Sequence, residues 1–206
     1  MKVLLINGSP KANGNTAFAL NQMADIFNAE GIETEIIQVG NQLIRGCTAC
    51  GSCHKLGKCV YDDLVNETAD KLKSADGMVL GSPVYYASPN GTLISFLDRL
   101  FFSSGSVDKR MKVGATVLVA RRGGCSAAMD VLNKYFTISQ MPVASSTYWN
   151  MIHGSKPGEA AQDAEGIRTV RNLAKNMAFL MRAVSLEKDL NGLPEPEKFA
   201  FTNFIR

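Results

Sequence analysis

Apolar and polar positions along this chain alternate between two rhythms. Residues 3–7 form a short continuous apolar run, the pattern of a strand buried on both faces of a parallel sheet. The chain then turns through GSPKANGNT and takes a helical period, with Phe18, Leu20, Met23, Ile26 and Phe27 largely on one stripe. Gly31 is placed to end that helix just past its C-cap. Residues 34–39, rich in β-branched side chains, predict a second strand. Asp62 and Asp63 stand at the N-cap of a helix carrying Leu64, Val65, Ala69 and Leu72. Residues 78–80 predict a third buried strand, followed by a helix with Leu93, Ile94, Leu97, Leu100 and Phe101 on one face. Residues 112–120 predict a fourth strand, 127–138 a helix, and 141–145 a fifth strand extended towards Trp149. A long helix over 161–184 comes last, before a proline-rich tail at 193–196. Strands alternating with helices predict an α/β protein, a doubly wound five-stranded parallel sheet covered on both faces.

A chain of 206 residues is enough for one core, so one domain over 1–206 is expected. It carries a cysteine-rich loop at 46–60, after the second strand, and a C-terminal helical extension from about 158 to 206. The net charge is only +3 and no basic run occurs, which argues against a nucleic-acid partner. The opening MKVLLING is too short an apolar run for a signal peptide or a membrane span, so no membrane partner is expected.

The densest chemistry lies in GCTACGSCHKLGKC, which holds Cys47, Cys50, Cys53 and Cys59 at C-x2-C-x2-C-x5-C spacing. Glycines at 46, 51 and 57 let the backbone bend round a common centre. Thiolates this close repel one another unless a metal centre absorbs their charge. A cubane iron–sulfur cluster suits two adjoining C-x2-C steps better than a zinc site, whose paired knuckles are usually separated. Reduced or disulfide-forming thiols are the alternative. Clustered cysteines in a chain without a targeting segment also point to a reducing compartment, the cytoplasm.

Three loops are expected at the carboxyl edge of the sheet. The first, residues 8–16, is rich in small and hydrogen-bonding residues and precedes a helix N-terminus, a setting for an anion. Ser9, Lys11, Asn13, Gly14, Asn15 and Thr16 are its candidates, although it is neither a Walker A nor a G-x-G-x-x-G sequence. A plain turn with Asn15 or Thr16 as N-cap is the structural alternative. The second, residues 82–90, offers Ser82, Pro83, Val84, Tyr85 and Tyr86 as a wall for a planar heterocycle. The third offers Arg121, Gly123 and Gly124, with Arg121 and Arg122 facing a phosphate or solvent.

GSPKANGNT, GSPVYYASPNGTLISFLDR and the RRGG loop resemble the NADPH-dependent FMN reductase superfamily, which is flavodoxin-like. With GCTACGSCHKLGKC added, the chain resembles the iron–sulfur flavoproteins of anaerobic archaea and bacteria. The resemblance covers about residues 1–145. It implies the strand order 2-1-3-4-5, with flavin at the switch point beyond strands 1 and 3. It implies FMN phosphate on Ser9, Lys11, Asn15 and Thr16, and the isoalloxazine ring against residues 83–86 and the third loop. It also implies a 4Fe-4S cluster on Cys47, Cys50, Cys53 and Cys59, and assembly as a homodimer or homotetramer.

FMN handles electrons in pairs or singly, whereas a cubane carries one at a time, so the pair suits an FMN-dependent oxidoreductase. The expected donor is ferredoxin or NAD(P)H, and the expected acceptor a small molecule. No side chain is needed as a catalytic acid or base. The alternatives are a cluster-free NAD(P)H-dependent FMN or quinone reductase and a non-enzymatic flavin electron carrier or redox sensor. Cys125 reads as a small helix-start residue, and His54 and His153 as loop histidines.

Overall fold

The computed structural model describes residues 1–198, 200, 202 and 204, so the end of the extension foreseen to 206 lies partly outside the described residues. Among the described residues, six strands and six α-helices follow one another. They are β1 (Lys2–Asn7), α1 (Asn15–Ala29), β2 (Glu33–Gln38), α2 (Cys53–Leu56), α3 (Leu64–Ser74) and β3 (Gly77–Tyr85). Then come β4 (Ser88–Pro89), α4 (Gly91–Ser103), β5 (Val113–Ala120), α5 (Cys125–Ile138), β6 (Met151–His153) and α6 (Ala164–Asn191). The strand order is β2-β1-β3-β5-β6, all parallel, with β4 antiparallel on the end of β3. Apart from that short β4, the five parallel strands stand in the doubly wound order 2-1-3-4-5.

Alternation within each strand sorts the layers. Val3 and Leu5 of β1 face α1 and α6, while Leu4 and Ile6 face α3, α4 and α5. All eight residues of β5 are buried, as a central strand covered on both faces requires. Asp63 caps α3 by accepting from Val65 N–H at 3.1 Å, and Asn90 caps α4 by accepting from Thr92 N–H at 2.7 Å. Gly31, past the end of α1, has φ +72°.

Two expectations are corrected. The fifth parallel strand is β6, not residues 141–145. Pro142 has no N–H to give, and that segment touches the sheet only where Gly114 N–H donates to Pro142 and Ala144 N–H to Gly114. The chain then leaves and rejoins β5 at Leu118, opposite Met151. Residues 82–90 are not an open loop but the hairpin of β3 and β4. Its turn residues Tyr86 and Ala87 both have positive φ, 51° and 58°, the sign pattern of a type I′ turn.

Candidate functional site

The first loop is fixed from below. Asn7 Nδ2 donates to Gln38 Oε1 at 2.7 Å, Gln38 Nε2 donates to the Ser9 carbonyl at 2.7 Å, and Ser9 N–H donates back to Asn7 Oδ1 at 3.0 Å. This closed ring ties the ends of β1 and β2 together beneath the loop. α1 starts at Asn15 behind Gly14, without a side-chain cap and without an acidic residue in its first turn. Among the described residues its leading N–H groups thus have no capping side chain to compete, and the positive end of the helix dipole favours an anion.

A cleft of about 240 Å³ opens above this helix end. Ser9, Lys11, Gly14, Asn15, Thr16, Pro83, Val84, Tyr85 and Arg121 line it, together with Val119, Ala120, Gly154 and Ser155. Its charged residues are Lys11 and Arg121, and no carboxylate lines it among the described residues. Nine foreseen residues therefore meet in one cleft. Gly154 and Ser155 went unforeseen because the apolar pattern puts the fifth strand too early, at residue 141 where β6 begins at Met151. The Gly-flanked His153 segment was the available signal.

Five foreseen residues lie elsewhere. Ser82 is fully buried; its hydroxyl donates to the Pro83 carbonyl at 2.8 Å and accepts from Asn90 N–H at 3.0 Å, which ties the hairpin base. Asn13, Tyr86 and Gly123 are exposed and do not line the cleft. Gly124, with φ +92°, lets the third loop press on the hairpin, since a Cβ there would meet Ala87 Cα at 2.8 Å. Asn15 also braces the cleft from its rim. Its amide donates to the Lys156 carbonyl at 2.9 Å and its oxygen accepts from Gly158 N–H at 3.2 Å. His153 approaches the Ala120 carbonyl through Nδ1 at 3.2 Å, and its backbone N–H donates to Asp163.

The cysteine loop lies on the α3–α4–α5 face. Ala49, Gly51 and Gly57 take positive φ and wind it, α2 being a single turn between the two glycines. Cys47, Cys50, Cys53 and Cys59 all line one small void with Arg99, Phe102 and Ser103. All four are free thiols; Cys47 and Cys50 are exposed, Cys53 and Cys59 half-buried. Hydrogen bonds from Ser52 hold the Cys50 thiol below its usual range. Asn66 pins Cys59 from both sides, accepting from its N–H and donating to its carbonyl, each at 3.0 Å. Arg99, 1% exposed, donates to Cys59 Sγ through Nε at 3.3 Å and Nη2 at 3.2 Å. Asp63 receives the same guanidinium at 2.6 and 3.0 Å.

Among the described residues, no three His, Cys, Asp or Glu side chains gather closely enough to hold a single metal ion. A cluster takes its four thiolates on separate irons, and the donor set of four cysteines round one void fits that chemistry. Cys125, at the start of α5, is buried, and burial pushes its thiol up to about 11, which suits packing and not ligation.

A parallel sheet in this order, with an anion-receptive loop after the first strand and a cleft at the switch point, defines a flavodoxin-like protein. The chain belongs to the NADPH-dependent FMN reductase family, whose model matches residues 1–156, and so to a family of FMN-dependent NAD(P)H oxidoreductases. It is 34% identical to an iron–sulfur flavoprotein of Methanocaldococcus jannaschii over 191 residues, covering 89% of this chain and 99% of that protein. It is 27% identical to the iron–sulfur flavoprotein of Methanosarcina thermophila over 192 residues, covering 92% and 100%. The crystal structure of RosB with a bound formylated riboflavin phosphate shares the fold, with a TM-score of 0.69 at 15% identity, covering 100% of this chain and 94% of that one. No helix among the described residues is long and apolar enough to cross a membrane.

Proposed function

We propose that this flavoprotein carries both FMN and a 4Fe-4S cluster and passes electrons from ferredoxin or NAD(P)H to a small-molecule acceptor in the cytoplasm. The observation that carries the reading is the pairing of two built sites in one chain. One is a cleft with only cationic charge above an uncapped helix; the other is a void ringed by four thiols.

In the cleft, the first-turn N–H groups of α1 with Ser9, Thr16 and Lys11 hold the FMN phosphate. Pro83, Val84 and Tyr85 form the wall against the ring, and Gly154 and Ser155 close the opposite rim. Tyr85 is 47% exposed, so an apolar face stands free to be covered by the flavin. When bound, FMN supplies both two-electron and one-electron chemistry. Arg121 offers a guanidinium to a nicotinamide nucleotide phosphate. Cys47, Cys50, Cys53 and Cys59 hold the cluster, with Asn66 fixing the backbone of Cys59.

The cleft and the void share no lining residue. Arg99, beside the void, stands about 12 Å along α4 from Gly91, where that helix leaves the hairpin walling the cleft. A homodimer or homotetramer that sets one chain's thiols against another's cleft shortens that path. A second reading, a cluster-free NAD(P)H-dependent FMN or quinone reductase, needs only the cleft and leaves the four free thiols without a cofactor.

Anaerobic purification followed by a visible spectrum, FMN release and iron and sulfide assays separates them. FMN with about four irons and four sulfides per chain supports the two-cofactor reading. FMN without iron moves the function to the reductase, and absence of flavin overturns both.

A further inference from the structure

Two polar side chains at the cysteine void hold neither cofactor directly. Arg99 lies in the third turn of α4 and is held rigidly. Asp63 takes two of its N–H groups, and the Tyr61 carbonyl accepts at 3.2 Å. The Tyr61 ring lies under the guanidinium at 5.1 Å. Nη1 also reaches the Arg45 carbonyl at 3.4 Å, while Nε–H and an Nη2–H shared with these acceptors point at Cys59 Sγ. Because Asp63 balances its charge, Arg99 brings to the sulfur mainly directed N–H dipoles.

Ser103 follows four residues later on the same face of the helix. A serine buried in a helix ordinarily returns its hydroxyl to the carbonyl four residues back, as Ser104 does to Leu100 at 2.5 Å. Ser103 does not. It is 5% exposed, lines the void, and its Oγ is the one buried side-chain nitrogen or oxygen without a hydrogen-bond partner among the described residues. An unsatisfied hydroxyl in the lining of that void asks for an acceptor there, and a sulfide or thiolate sulfur is one.

We propose that Arg99 and Ser103 are positioning residues that donate hydrogen bonds to the sulfurs of the cluster held by Cys47, Cys50, Cys53 and Cys59, raising its reduction potential. The proposal rests on the two-cofactor reading above. Hydrogen bonds to cluster sulfurs favour the more negative, reduced form, so each donor makes the one-electron reduction easier. The donors and the ligand Cys59 are locked to one another through α4 and the cap of α3.

The test is potentiometric. The full chain, Ser103→Ala and Arg99→Lys are purified anaerobically, assayed for iron and sulfide, and titrated with the cluster followed by electron paramagnetic resonance and the flavin by absorbance. Both variants are expected to shift the cluster potential to more negative values while the flavin potential stays in place. Wild-type chain without iron and sulfide overturns the cluster reading and this proposal with it. A fully loaded Ser103→Ala with an unchanged potential overturns the serine's role alone, and the same result for Arg99→Lys overturns the arginine's. If Arg99→Lys fails to load, Ser103→Ala decides the matter. Equal shifts of cluster and flavin mark a general structural change and overturn the proposal.

Discussion

Asn15, the first residue of α1, gives an amide hydrogen to the carbonyl of Lys156 at 2.9 Å, although 141 residues separate them. Its oxygen also takes the N–H of Gly158. The loop after β6 is therefore strapped to the loop after β1 across the mouth of the cleft. Asn15→Ala removes both links, each worth about 1 kcal/mol. FMN binding is expected to weaken roughly tenfold, read by fluorescence titration of the deflavinated protein. Asn15→Asp keeps the acceptor but adds a negative charge beside the anion site, so it is expected to weaken binding more than alanine does.

Arg121 and its neighbour Arg122 are both exposed, but only Arg121 lines the cleft. Arg121→Ala is expected to raise the KM for NADPH roughly tenfold with kcat little changed, the pattern of lost uniform binding. Arg122→Ala is expected to leave both constants unchanged. Steady-state kinetics of the two variants checks this, and equal effects from both would remove the assigned role.

The parts of the fold that were legible are those where burial dominates. β1, β3 and β5 are continuous apolar runs because both faces are covered, and Asp63 and Gly31 act as the cap and stop their positions suggest. The fifth strand was misplaced because Met141–Ser145 is as apolar as Met151–His153, and only the pairing with Leu118 decides between them. The lining of the cleft was legible where its residues are consecutive in loops. Ser82 stands in the same loop sequence, but its hydroxyl partners are backbone groups of its own hairpin, which sequence spacing does not reveal. Arg99 carries no motif or pattern that marks it in the sequence. Its partners, Asp63 and Cys59, lie 36 and 40 residues away and only packing brings them together.

Cysteine reactivity is expected to divide sharply. Cys50 is exposed and Ser52 holds its thiol below the usual range, so more of it is thiolate at a given pH than of an unperturbed cysteine. Cys125 is buried and its thiol is raised to about 11, leaving about one part in a thousand ionised at pH 8. Iodoacetamide pulse labelling of the metal-free chain, read by peptide mass spectrometry, is expected to modify Cys50 first and Cys125 only on unfolding. Early labelling of Cys125 would contradict its packing.

At the β1–β2 edge, Glu35 sits between Lys71 at 2.6 Å and Lys2 at 2.9 Å. The hydrogen bonds from Lys71 and then Lys2 hold its carboxyl below the ordinary value. A depressed carboxylate stabilises the fold above its unfolded pKa of about 4.3, and this contribution fades as pH falls through the folded value. Glu35→Gln is therefore expected to cost up to about 1 kcal/mol at pH 7 and progressively less below pH 4, with salt also shrinking the difference. Urea unfolding of both proteins across pH reads it directly; a difference that grew in acid would reverse the assigned sign.

Gly40, just after β2, passes so close to the first loop that a Cβ would lie 2.2 Å from the Ser9 carbonyl carbon and 2.3 Å from the Gly8 oxygen. Both neighbours are backbone, and Gln38 already pins Ser9 from the same side, so neither can yield without moving the loop. Gly40→Ala is expected to cost about 3 kcal/mol, the upper range for over-packing, and to loosen FMN with it. Gly31→Ala supplies the contrast. Gly31 has φ +72° with nothing within 4 Å of its virtual Cβ, so that change carries only the left-handed backbone penalty of about 1–2 kcal/mol. The FMN dissociation constant of Gly31→Ala is expected to match wild type, since no crowding reaches the first loop. Denaturant midpoints with flavin titrations on both variants separate crowding of the phosphate loop from simple backbone strain. If Gly40→Ala retained wild-type flavin affinity, the close approach of these two turns would have no bearing on the cleft.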